Sequence, residues 1–295
     1  MKKVSFYLMN EKGFYLLKNF IKDFNSNNIK YVISSKDSNV QKDYFIEIKV
    51  LCENNNILFF NKTDNFSNEE TSFQGYKFAI GWRWIIKNDK KLIVFHDSIL
   101  PKYRGFAPLV NSLIVGEKLI GVTALFADKD YDKGNIILQE SIGIEYPITI
   151  NEAISKVKPL YYTLMKNIYT IISQNKILHA KKQDENSATY SMWLDEKDYF
   201  IDWENWHAEK IKRFVDAVGY PYDNAKSYLN NDVISFISVE VIDDIIIKER
   251  TRHIGKVIFM ENEVPSIVCK KGLIRLIKLE TKKGRIRINF RSRFY

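Results

Sequence analysis

Leu92-Ile93-Val94-Phe95-His96-Asp97-Ser98-Ile99-Leu100-Pro101-Lys102-Tyr103-Arg104-Gly105 is the stretch from which the rest of the chain can be organised. Its first four residues are apolar and β-prone, as in a buried strand, and a dense polar block follows at once. Upstream the same pattern repeats, with short β-rich runs at residues 4–9, 31–34, 57–60 and 78–81 separated by helical stretches. Between the first two runs, Phe14, Leu17, Phe20, Ile21 and Phe24 fall on one face of a helix. Strands alternating with helices predict an α/β fold, a Rossmann-like, mostly parallel sheet with flanking helices. No G-x-G-x-x-G or G-x-x-x-x-G-K-[ST] follows any of these runs, so the dinucleotide fingerprint and the P-loop are excluded.

Downstream, a strand at 122–126 runs into the loop Asp128-Lys129-Asp130-Tyr131-Asp132-Lys133-Gly134, then into a short run at 136–138 and a long helical pattern at 149–173. The polar segment 181–188 reads as a linker. Beyond it, 203–218 looks helical, Gly219-Tyr220-Pro221-Tyr222 breaks the pattern, and short strands follow. The expected organisation is a catalytic domain at 1–200 and a smaller β-rich C-terminal domain at 201–295.

The 295 residues are 45% hydrophobic and 27% charged, with 12 Gly and 6 Pro, about half the usual share of those two residues. Collagen-like, low-complexity and disordered classes are thereby excluded. Two cysteines, Cys52 and Cys269, are too few for a disulfide framework or a zinc site, and no metal is expected. The N-terminal apolar run is shorter than a secretory core, and no run approaches the roughly 18 residues of a membrane span, so a soluble cytoplasmic protein is expected. In residues 270–295, ten Lys or Arg stand against Glu280 alone, a local +9 that equals the formal charge of the whole chain. Such a tail can attract phosphate, nucleic acid or an acidic membrane. The near-alternating apolar residues at 273–279 and 285–290 favour a plainer reading, two half-buried strands with solvated charges outside.

In open parallel sheets, ligands bind in the crevice beyond the carboxyl ends of the strands, so a histidine at a strand end, such as His96, is a candidate for chemistry. Asp132 follows another strand in a Gly-terminated loop. A carboxylate beside an imidazole fixes its tautomer and suits it to take a proton near neutral pH, although spacing alone does not bring His96 and Asp132 together. His179, His207 and His253 have no motif around them and read as surface or packing residues. Trp203, Trp206, Tyr220 and Tyr222 read as core of the smaller domain or as a platform for a nucleotide base. Pro221 fixes a turn that can project Tyr222.

The run His96-x-Ser98-Ile99-Leu100-Pro101-x-x-Arg104-Gly105, followed by Ala107-Pro108, Gly121-Val122-Thr123 and Tyr131-Asp132-x-Gly134, closely resembles the N10-formyltetrahydrofolate-dependent formyltransferases. The resemblance is strong over residues 75–140. Tyr190-Ser191-Met192-Trp193, Asp202-Trp203 and Phe214-x-x-Ala217-x-Gly219-Tyr220-Pro221-Tyr222 look like the nucleotide-sugar N-formyltransferase branch.

The resemblance implies transfer of a formyl group from N10-formyltetrahydrofolate to the amine of a nucleotide-linked amino sugar, a precursor of surface polysaccharide. His96 would be the general base and Asp132 would hold its ring. Trp84, Ile85, Ser98, Ile99, Leu100, Pro101 and Asp128 would line the folate pocket, with Gly81-Trp82-Arg83-Trp84-Ile85-Ile86 as one wall. Arg104 and Tyr222 would meet the substrate. Folate and the nucleotide sugar are the implied partners, with no nucleic acid, and a homodimer fits the family. The chain departs from the family at Val94, where an Asn normally stands two residues before the histidine; Val94 cannot donate to an oxyanion. The alternatives are methionyl-tRNA formyltransferase, which the basic tail favours and the mixed charge of 36–44 opposes, and a non-catalytic folate- or nucleotide-binding homologue, suggested by Val94.

Overall fold

The first strand, β1 (Val4–Leu8), is buried at every position, which is what a strand covered on both faces requires. In the computed structural model, which describes residues 2–86, 91–281, 284 and 286–295, it is followed in order by α1 (Asn10–Phe24), β2 (Ile29–Ser34), α2 (Phe45–Asn54), β3 (Phe59–Asn61), α3 (Ser67–Ser72), β4 (Lys77–Ile80), β5 (Leu92–His96), β6 (Arg104–Gly105), α4 (Pro108–Val115), β7 (Leu119–Phe126), β8 (Ile136–Gly143), α5 (Ile150–Ser173) and β9 (Tyr190–Ser191). Seven of these strands form one sheet in the order β3-β2-β1-β4-β5-β7-β8. The first five of that order pair in parallel, and β7 and β8 add antiparallel pairings at one edge. The expected mostly parallel, Rossmann-like sheet therefore forms. Because the chain winds outward from β1 in one direction and from β4 in the other, the crevice beyond the carboxyl ends of the strands opens there.

Aromatic packing fastens helices to this sheet. Phe6 of β1 meets Phe20 of α1 edge-on at 5.1 Å and stacks on Phe78 of β4 at 5.6 Å. Phe20 and Phe24 both abut Tyr169 of α5, at 4.8 and 4.7 Å. The fully buried rings Phe6, Phe20 and Phe78 each contribute about 1.5–3 kcal/mol. The buried stripe of α1 is Gly13, Leu16, Leu17 and Phe20. The expected stripe is thus rotated by about one residue, leaving Phe14, Ile21 and Phe24 half-buried at its margin. A capping box starts α5: Glu152 N donates to Thr149 Oγ1 at 3.3 Å while Thr149 N donates to Glu152 Oε2 at 2.8 Å.

The chain divides into two compact units, one of residues 1–109, 119–143 and 153–192, the other of residues 110–118, 144–152 and 193–295. The second carries α6 (Ala208–Ala217), β10 (Ala225–Leu229), β11 (Asp232–Ile242), β12 (Val257–Glu261), β13 (Val264–Val268) and β14 (Leu273–Thr281), whose strands form an antiparallel sheet in the order β10-β11-β14-β13-β12. Trp203 is core here: its indole nitrogen donates to Ser227 Oγ at 2.9 Å and its ring lies 6.0 Å from both Phe236 and Phe294.

Three expectations change. The helix expected at 203–218 begins only at Ala208, because the Asp202 carboxylate accepts from Asn205 N and Nδ2 and so turns the chain first. Segment 181–188 is no linker: Lys181 pairs with Ile136 of the first unit and Gln183 is buried. In the basic tail, the alternation at 273–279 lies within β14, but the second expected strand does not form over 286–289; Lys282, Lys283 and Arg285 lie outside the described residues. The chain end returns instead through Phe294, which is buried and bridged to Leu229.

Cys52 and Cys269 are both fully buried, and burial pushes each thiol up to about 12. Neither is expected to react with Ellman's reagent at pH 8 in the folded protein, and both are expected to react once it is unfolded. A fast-reacting thiol in the native protein would show that one of these sites opens. Among the described residues, no helix is long and apolar enough to cross a membrane.

Candidate active site

β5 ends at His96, and this places the imidazole at the carboxyl edge of the sheet with only 7% of its side chain exposed. The next residue is fixed from two sides, since the Asp97 carboxylate accepts from Tyr161 OH on α5 and pairs with the Lys12 ammonium on α1. Ser98 and Leu100 are buried as well. Thr123 of β7 locks this turn, its hydroxyl donating to Ser98 O at 2.7 Å and accepting from Leu100 N at 3.1 Å. Gln139 Nε2 adds donations to Leu100 O and to Thr123 Oγ1, each at 2.8 Å.

The structure brings His96 and Asp132 together. His96 Nδ1 lies 3.4 Å from Asp132 Oδ1, and Nε2 lies 2.7 Å from Tyr103 O. Each ring nitrogen thus faces an acceptor. Only a doubly protonated ring donates to both; a neutral ring makes one contact and frees the other nitrogen. The second carboxylate oxygen of Asp132 accepts from Gly105 N at 2.8 Å, so one side chain positions both the imidazole and the loop that follows it. Asp132 itself has a left-handed backbone with φ 55°. Two glycines make this approach feasible. A Cβ at Gly134 would lie 1.7 Å from Phe126 O, and one at Gly105, where φ is 99°, would lie 2.6 Å from Ser191 O.

Arg104, expected at the substrate, is turned inward onto protein partners. It is wholly buried, its Nε and Nη2 donate to Gln183 Oε1 at 3.1 and 2.9 Å, and its Nη1 and Nη2 donate to the two Glu185 carboxylate oxygens at 2.9 and 2.8 Å. The hydrogen bond from Arg104 in turn holds the Glu185 carboxyl below the usual carboxylate range. Gln183 passes the constraint on, since its Nε2 donates to Asp132 O at 2.6 Å and to Gly134 O at 2.8 Å. Arg104 is therefore linked to the backbone of Asp132 through Gln183. Sequence reasoning missed Gln183 because it sits in a polar stretch with no motif.

The other expected residues are scattered in exposure. Trp84, Ile85 and Asp128 are exposed, Ile99 and Pro101 are half-buried, and Ser98 spends its hydroxyl on Lys102 O at 2.7 Å. Tyr222 belongs to the second unit and is half-buried. Within the 81–86 wall, Arg83 pairs with buried Asp37, which also accepts from Asn10 Nδ2 at 3.1 Å. Val94 packs against a buried cluster of Tyr7, Tyr31, Ile33, Ala79 and Leu92, and Trp82, Ile86 and Ala127 pack on the same cluster. Among the described residues, no group of three or more His, Cys, Asp or Glu side chains is placed to hold a metal ion.

Residues 61–167 match the family model described as formyl transferase, and residues 194–289 match formyl transferase, C-terminal domain. Methionyl-tRNA formyltransferase of Thermodesulfovibrio yellowstonii is 32% identical over 194 residues, which is 66% of this chain and 59% of that protein. Its counterpart in Clostridium tetani is 30% identical over 188 residues, 64% of this chain and 58% of that protein. The matched stretch thus spans less than two thirds of the length of these relatives. Among solved structures, WlaRD, a sugar 3N-formyl transferase crystallised in the presence of dTDP and 5-N-formyl-THF, superposes with a TM-score of 0.65 at 20% identity, over 97% of this chain and 99% of that one. An N-formyltransferase from Helicobacter canadensis, in complex with folinic acid and dTDP-3-aminofucose, gives a TM-score of 0.66 at 21% identity, over 94% and 99%. At these identities the likeness is one of fold.

Proposed function

Because the chain belongs to the formyl transferase family, matching its models in both halves, we propose that it carries a formyl group from N10-formyltetrahydrofolate to the amine of an amino-deoxy sugar bound as a nucleoside diphosphate. One observation carries the choice of acceptor. The fold corresponds end to end with a sugar 3N-formyl transferase, with a TM-score of 0.65 over 97% of this chain and 99% of that one, whereas the methionyl-tRNA formyltransferase from Clostridium thermocellum superposes less closely, with a TM-score of 0.57 over 84% of this chain and 96% of that one.

Acyl transfer to an amine needs a base, an orienting group and a donor for the oxygen that gains charge. In this proposal the amine takes the place of the Tyr103 carbonyl at His96 Nε2 and gives its proton to that nitrogen. Asp132 then faces the protonated ring from Nδ1 and stabilises it. The folate ring lies on the cluster lined by Trp82, Ile86, Val94 and Ala127, with exposed Trp84, Ile85 and Asp128 at its rim.

The test is incubation with N10-formyltetrahydrofolate and a panel of amino-sugar nucleotides, reading product mass. The expected result is the gain of one formyl group on one sugar. The second reading, a methionyl-tRNA acceptor, rests on the named relatives and the basic residues after 269. If it holds, no sugar is formylated, charged initiator tRNA is, and the logarithm of its affinity falls steeply with log salt, by about 0.9 for each neutralised duplex phosphate. A flat salt response would remove it.

A further inference from the structure

In the formyl-transfer reading just given, on which this inference rests, the oxygen of the transferring formyl group needs a hydrogen-bond donor, and Val94 offers none. Val94 lies on the same face of β5 as His96, two residues back, and is packed into the apolar cluster described above. Trp82 packs on that same cluster. It follows the end of β4, whose last residue, Ile80, pairs with Phe95 beside His96. Its ring is held edge-on between Tyr7, at 5.2 Å, and Trp84, at 5.1 Å.

Among the described residues, the Trp82 Nε1 atom is buried and has no acceptor. Among the described residues of the first unit, the Ser34 hydroxyl and Asn10 Oδ1 are also buried without a partner, while the Ser5 and Tyr31 hydroxyls face each other. Hydroxyls can rotate to give or take a hydrogen bond, but an indole N–H can only give one. Leaving it unmet costs about 1–3 kcal/mol, and this cost is recovered only when an acceptor arrives.

We infer that the Trp82 indole N–H is the donor to the formyl oxygen, replacing the amide side chain absent at position 94. The amine nitrogen bonds to the formyl carbon and its proton passes to His96, while the C=O pair moves onto the oxygen facing Trp82 Nε1. The bond from that carbon to N10 then breaks, and the proton on His96 passes to N10. The products are the formamide and tetrahydrofolate, with atoms and charge balanced and no further reactant.

Two measurements test this. First, Trp82→Phe keeps an aromatic ring and removes the donor, so kcat should fall about 10²-fold with KM for the folate almost unchanged. Adding Val94→Asn to that variant should restore about tenfold, which a purely structural role for Trp82 does not predict. A kcat for Trp82→Phe within threefold of the parent, or a double variant no better than Trp82→Phe, would overturn the inference. Second, in protein with 15N-labelled tryptophan, the Trp82 indole resonance, assigned by its loss in Trp82→Phe, should move downfield when 10-formyl-5,8-dideazafolate is added. The analogue lacking the formyl group, whose ring lies on the same cluster, should not produce that downfield hydrogen-bond shift. An unmoved resonance with the formyl analogue bound rules out Trp82 whatever the acceptor is. If no amino sugar is formylated and the resonance still moves, the acceptor reading fails and the Trp82 assignment stands.

Discussion

Substituting Ala for His96 is expected to lower the single-turnover rate of formyl transfer by roughly 10²- to 10⁴-fold, the usual contribution of a positioned general base. Folding should be nearly unaffected. His96 ends β5 rather than lying within it, and its neighbours keep their own anchors: Asp97 on Lys12 and Tyr161, Ser98 and Leu100 on Thr123, and Asp132 on Gly105 N. The loss should therefore appear in kcat, with the KM values and the thermal midpoint close to the parent. Asp132→Asn provides the comparison. It retains a group that can meet Gly105 N but removes the charge facing Nδ1, so its kcat should fall less than that of His96→Ala. If His96→Ala turned over at the parent rate, His96 would be a structural residue and the base would have to be sought elsewhere in the crevice. If both variants lost activity together with their thermal transitions, the effect would be one of folding, and the unfolding curve separates the two cases.

The parts of this molecule legible in its sequence are those governed by local periodicity. The runs that became β1, β2, β4, β5 and β7 were visible as apolar clusters, and the motif at 96–105 lies where a parallel sheet exposes its strand ends. The parts that were not legible depend on long-range pairing. Arg104 reads in sequence as a solvated cation or, from its place before Gly105 in the motif, as a residue that orders the loop, but nothing local shows what it would bind. It is buried because Gln183 and Glu185, about eighty residues away, fold over it. Those two residues in turn look like a linker, since their polar atoms give no sign of partners in the loop at 128–134. The basic tail misled for a related reason. Alternation at 286–290 satisfies the period of a strand, but no strand forms over 286–289 and the chain's last residues pair instead with residues near 228. The resemblance pairs His96 with Asp132, but their spacing does not, and the antiparallel pairing of β5 with β7 carries the loop of one to the strand end of the other. The missing amide at 94 was visible at once, whereas the unmet donor on Trp82 was not, because a sequence does not show which buried atoms lack partners.

Replacing Arg104 with Ala tests this network and carries the largest expected cost in stability, roughly 1–3 kcal/mol for leaving the buried Gln183 Oε1 without its donors. The side chain is 0% exposed, so its loss leaves a void as well as unmet partners. Glu185 is on the surface and can return to water, so the cost falls mainly on Gln183, whose Oε1 loses two donors. A urea titration should show a lower midpoint with an unchanged slope. Arg104→Lys should not rescue it, because a single ammonium cannot span Gln183 and both Glu185 oxygens as the planar guanidinium does. The pH dependence has a definite sign. Arg104 depresses the Glu185 carboxyl, so the stability gained from the pair is fully present above the ordinary glutamate range and is lost as the pH falls through the lowered folded value. The Ala variant should lack that acid-side slope. Activity should fall along with stability, since Gln183, no longer fixed, stops anchoring the backbone of Asp132, and the loss should appear in kcat rather than in KM for the sugar nucleotide. The opposite pattern, full stability with a raised KM for the sugar nucleotide, would place Arg104 at the substrate and contradict its burial.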